Sequence, residues 1–143
     1  MSTNDQLSAK AAIEAMPCCP HVLFVGMHNK PGMEPLDSKT MSGKMIDAVI
    51  KGLPFKCTKT NLFEGEYLPK DFLTINQAGI DWHNKYEPQK SDIVVLLGKW
   101  VQTNFWHDSF KIINLPHPAS CMGNVNKKKY IIDAIERITK KMG

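Results

Sequence analysis

Arginine is almost missing from this chain: of 18 basic residues only Arg137 is one, so bidentate guanidinium forks are not its main means of reading phosphates. Long apolar runs are missing too. No stretch approaches the roughly 18 to 20 residues that span a bilayer, and the N-terminus lacks a basic segment followed by an apolar one. The sequence therefore reads as a cytoplasmic protein without a membrane partner. Cys18, Cys19, Cys57 and Cys121 contain no C-x-x-C pair. Adjacent cysteines bridge each other only with strain, so neither a zinc site nor a disulfide framework is indicated, and the thiols are expected to be reduced. No metal and no cofactor is expected. Nor does one sign of charge dominate. The net charge of +4 permits a polyanionic partner without demanding one, since lysines spread over a surface mostly serve solubility. Low-complexity segments and internal repeats are absent, and 43% hydrophobic with 22% charged residues is ordinary globular usage that gives disorder little support.

What is present is an alternation of helix and strand signals over 143 residues, a length that fits one domain with one core. Residues 5–16 carry Ala9, Ala12, Ile13 and Met16 at helical spacing before Pro17 and Pro20. Residues 21–25 are a short continuous apolar run closed by Gly26, and 92–98 repeat that signature; both predict strands buried on two faces. A polar loop with glycine and proline follows over 27–41. Ser42 is a plausible N-cap for a helix with Met45, Ile46, Val49 and Ile50 as its stripe, ending at Gly52 and Pro54. Residues 55–63 alternate acceptably for a second strand, 67–86 read as a helix interrupted near Gly79, 99–106 as a short helix and 111–115 as a fourth strand. The last helix is expected over 127–142, with Ile131, Ile132, Ile135, Ile138 and Met142 inward. The pattern predicts an α/β fold, a three-layer α/β/α sandwich with a four-stranded, mainly parallel central sheet.

Ligands of such sheets bind beyond the carboxyl ends of the strands. That rule gathers Gly26 to Glu34, Thr60-Asn61, Gly98-Lys99 and Pro116-His117-Pro118 on one rim. A histidine is more often a surface or satisfied core residue than a functional one, but two prolines and a strand-end position hold His117 on a rigid corner. Asn61 is a turn-forming residue or, since its amide both donates and accepts, a reader of a nucleobase edge. Trp100, Phe105 and Trp106 read as core rather than stacking platforms, and Glu64 and Glu66 as solvated charges. Lys127, Lys128 and Lys129 open a helix, where their charge opposes the dipole, which gives a phosphate-facing role some weight.

Taken together, Gly26 with Pro31-Gly32, Thr60-Asn61, Leu96-Leu97-Gly98-Lys99 and His117-Pro118-Ala119-Ser120, each after a strand, resemble the uracil-DNA glycosylase superfamily over about residues 22–135. Gly43-Lys44-Met45-Ile46-Asp47 is similar to the helix start that follows the first motif in several of its branches. The resemblance implies a DNA partner with a flipped base and hydrolysis of the N-glycosidic bond of uracil or another modified base. It implies that His117 stabilises negative charge on the departing base and that Asn61 reads the base edge. Gly26 and Met27 would belong to the base-binding loop, and His28 or Asn29, with Asn29 favoured, to the group that orients water. Ser120 would hold a phosphate, Met122 would enter the minor groove as a wedge, and Lys99, Lys127 and Lys128 would face DNA. The chain departs from the family pattern in three ways. Four residues rather than two separate Gly26 from Pro31; Leu36-Asp37-Ser38-Lys39 stands where a base-stacking aromatic is usual, with Phe63 as a substitute; and the four cysteines of the iron-sulfur branches are lacking. A catalytically inactive DNA- or nucleotide-binding module and a nucleoside or nucleotide base or sugar transferase remain as alternatives on the same scaffold. A monomer is expected.

Overall fold

The computed structural model describes residues 20–28, 32–65, 68–105 and 110–142. The expected helix over 5–16, as well as Asn29, Pro31, Tyr67 and Trp106, lies outside the described residues.

Among the described residues four strands build one sheet: β1 (Val22–His28), β2 (Cys57–Phe63), β3 (Ile93–Leu97) and β4 (Lys111–Leu115). Their order across the sheet is β2-β1-β3-β4, and every neighbouring pair is parallel. The helices between them are α1 (Met41–Lys51), α2 (Phe72–Tyr86) and α3 (Lys99–Asn104), and α4 (Gly123–Met142) follows β4 through a 3-10 turn at Pro118–Ser120. Alternate residues of the central strands feed opposite layers, as the period of a strand requires. Val22, Phe24, Ile93, Val95 and Leu97 pack with Met45, Ile46 and Val49 of α1 and with Tyr130, Ala134 and Ile138 of α4. Leu23, Val25, Val94 and Leu96 pack with Trp82 of α2 and with Val101 and Phe105 at α3. The molecule is thus a three-layer α/β/α sandwich. Both faces are covered, which is why β1 and β3 read as unbroken apolar runs.

The chain leaves β1 toward the α1 layer and leaves β3 toward the α3 layer, and these strands are neighbours. Connections that diverge to opposite faces leave a crevice at the carboxyl ends.

Several boundaries differ from the sequence reading. β1 continues past Gly26 to His28, because pairing with β2 persists there as Gly26↔Asn61 and His28↔Phe63. The cap of α1 is Thr40 rather than Ser42, its hydroxyl accepting from the Gly43 amide at 2.9 Å. α2 runs unbroken through Gly79, which is buried with Ala78 and Trp82; packing outweighs the roughly 1 kcal/mol that an interior glycine costs. α3 ends at Asn104, two residues short of the expected limit, and α4 begins at Gly123, four before the expected start. Its inward line is Tyr130, Ala134 and Ile138, with Ile131, Ile135 and Met142 half-buried against it, while Ile132 is 58% exposed. Among the described residues no helix is long and apolar enough to cross a membrane.

Candidate functional site

The corner after β4 is closed by its own hydrogen bonds. His117 caps the Pro118–Ser120 turn: its ring Nδ1 accepts from the Ala119 amide at 3.1 Å. Its carbonyl oxygen accepts from the Ser120 amide at 2.9 Å and from Ser120 Oγ at 2.7 Å. A ring nitrogen that accepts an amide hydrogen carries none itself, so this network assigns the proton of the neutral imidazole to Nε2. The ring is a donor through that atom. Behind it stands Gly98, at φ +90°, where a Cβ would come within 3.2 Å of His117 Cβ. The Gly98 amide and Gln102 Nε2 both donate to the Leu115 carbonyl at 2.9 Å, and Tyr130 Oη donates to the Pro116 carbonyl at 2.6 Å.

Asn61 reaches the same end of the sheet from β2 and is only 4% exposed. It can lie there because its partner across the strands is glycine: a Cβ on Gly26 would fall 2.5 Å from Asn61 Oδ1. The preceding residue, Thr60, is fully buried. Its hydroxyl donates to the Phe24 carbonyl and accepts from Trp82 Nε1, both at 2.8 Å, which pins the end of β2 between β1 and α2.

His117, Asn61 and His28, the last at the end of β1, line one cleft of about 290 Å³. Its apolar walls include Met27, Met33 and Leu36, with no Phe, Tyr or Trp among the described lining residues. Glu34, Asp37, Thr40 and Ser42 form the rim toward α1. These polar residues occupy the stretch in which the family resemblance places a base-stacking aromatic. Their signal is an Asp followed three residues later by Thr, the spacing of a turn closed by side chains. Asp37 accepts from the Glu34 amide at 3.1 Å and from the Lys39 amide at 2.9 Å, and these bonds, that from Lys39 foremost, hold its carboxyl below the usual carboxylate range. The turn sits directly on α1, where a Cβ at Gly43 would overlap the Asp37 carbonyl oxygen at 1.9 Å.

The chain matches no family model, no curated protein and no solved structure.

Of the remaining residues singled out in the sequence, Gly26 is buried beneath Asn61 and Met27 is half-buried on the cleft wall. Phe63 is not with them. It lines a separate cavity of about 250 Å³ between β2 and α2, beside Trp82 and Tyr86, and Asn61 is the wall between the two spaces. Lys99 and Ser120 flank an open groove on the other side of His117. Met122 stands 78% exposed on the approach to α4, and Lys127 and Lys128 occupy that helix's second turn, half-buried and exposed respectively. Among the described residues no group of three His, Cys, Asp or Glu side chains is gathered as a metal site would need.

Proposed function

We propose that this protein is a DNA glycosylase-like hydrolase acting on the N-glycosidic bond of uracil or another modified base in DNA. The reading rests on one observation: His117, from the corner after β4, and Asn61, from β2, share a cleft with apolar walls. A planar base between them meets a carboxamide that donates and accepts along its edge and a neutral imidazole that donates through Nε2. In the reaction the C1′–N bond breaks with its electron pair staying on the base. The His117 N–H, already in place, stabilises that charge, and a fixed donor of this type accelerates such a step by about 10²–10³-fold. Water adds to the oxocarbenium-like sugar carbon, and its proton passes to solvent or to the released base. His28, which lines the cleft, or Asn29 orients that water. Ser120, Met122, Lys99, Lys127 and Lys128 belong to the same end of the molecule and make up the surface that faces the DNA strand.

Purified protein offered duplex and single-stranded oligonucleotides bearing uracil, hydroxymethyluracil, hypoxanthine or bulkier pyrimidines is expected to leave alkali-labile abasic sites in at least one. His117→Ala is expected to lower that rate by a factor of 100 or more with the fold intact. A blank result on every base refutes catalysis. The aliphatic and thioether walls favour a second reading, a module that binds DNA or nucleotides without turnover. Salt-sensitive duplex affinity with no excision would identify it.

A further inference from the structure

We infer that Tyr130 is a positioning residue for His117, setting the angle of its imidazole through the backbone of Pro116. The inference rests on the reading of His117 as the group that faces the departing base. The bonds His117 makes to Ala119 and Ser120 all lie inside the Pro118–Ser120 turn. They fix the ring relative to the turn, which the buried Pro118 seats on the body of the molecule. Three bonds from outside hold the chain that leads into the turn. Two end on Leu115, from the Gly98 amide and Gln102 Nε2. The third ends on Pro116, the residue next to His117, and comes from Tyr130 Oη at 2.6 Å, short for a hydroxyl donor.

The phenol is well suited to the task. Tyr130 is 8% exposed and packed in the α1–α4 layer of the core, so its ring is held by its neighbours. Burial pushes its ionisation well above the ordinary value, which keeps the hydroxyl a donor. Removing the hydroxyl while keeping the ring takes this one bond from the corner, and what is lost is direction. A reacting group displaced by about 1 Å costs on the order of 10²-fold in rate.

The test compares Tyr130→Phe with Ile138→Val, which thins the same helix without touching the corner. Single-turnover excision, oligonucleotide affinity, thermal unfolding and ¹⁵N relaxation of the His117 ring are measured for each. Tyr130→Phe is expected to excise ten- to a hundredfold more slowly with affinity within about twofold, to melt within a few degrees of the parent, and to broaden the His117 ring resonances. Ile138→Val is expected to leave excision and the ring unchanged. Equal loss in both variants, unfolding of Tyr130→Phe, or an unaltered rate together with an unaltered ring overturns the inference. Should the parent protein excise nothing, the proposed function fails on that result alone. The ring relaxation then decides the role of Tyr130 by itself, with unchanged relaxation sinking it.

Discussion

At the scale of single residues, the site depends on what Gly26 lacks. Its missing side chain is the space into which Asn61 Oδ1 fits, and Leu36 Cδ2 stands only 3.2 Å from where a Cβ would be. Gly26→Ala is therefore expected to push the Asn61 amide off the strand. Affinity for a base-containing oligonucleotide should fall tenfold or more, with a stability loss of roughly 1–3 kcal/mol typical of overpacking. Titration by fluorescence anisotropy and urea unfolding check the two effects; unchanged affinity would mean that Asn61 does not face the ligand. The sequence makes His117 and Asn61 conspicuous because prolines and strand ends mark positions that local chemistry can explain. Gly26 is legible only as a glycine. Its reason, a side chain 35 residues away settling on its Cα face, is tertiary and leaves no local trace. The same holds for Asp37, whose carboxylate serves the backbone of its own turn.

At the scale of elements, β1, β3 and β4 are legible because burial on both faces demands a short apolar run, whereas the helices are set by their partners. α2 passes Gly79 because Trp82, one turn on, is locked by its bond to Thr60. α4 turns Ala134 rather than Ile132 toward the sheet, since the buried line recurs every fourth residue through Tyr130 and Ile138 and a residue two places off it falls on the opposite side of the helix. α1 starts where the cleft rim ends, and Thr40 joins the two: its hydroxyl donates to the Asp37 carbonyl at 2.8 Å and accepts from the Gly43 amide at 2.9 Å. Thr40→Ala should cost about 1 kcal/mol in denaturant unfolding and speed hydrogen exchange at Gly43. Thr40→Ser should restore both. A Thr40→Ala protein with parent exchange at Gly43 would show that the rim is held by other means.

At the scale of the whole molecule, the alternation of elements made an all-covered parallel sheet readable, but not the order of its strands, which depends on which face each helix takes. The two ends of that sheet differ in kind. The carboxyl end holds the cleft; the amino end is a polar latch in which the His21 amide donates to Asp92 Oδ1 at 3.1 Å and the His21 ring pairs with Thr58 Oγ1. Burial, helped by the nearby Lys56 charge, lowers the affinity of His21 for a proton below that of a free imidazole, near 6.5. The unfolded chain therefore binds the proton more readily than the folded one, so stability is full above about pH 6.5 and declines as pH falls below it. Melting temperatures measured from pH 8 to 5 should show this decline, and His21→Gln should flatten it; an identical slope in the variant would assign the loss to other groups.

β2 and β4 are the two outer strands of this four-stranded sheet, so the carboxamide and the imidazole reach the cleft from opposite margins, three strand spacings or about 14 Å apart at the backbone. The gauge of the cleft is accordingly a property of the sheet's full breadth and coil. Substitutions deep between β1 and β3, remote from any ligand, would retune it as surely as changes at its lip.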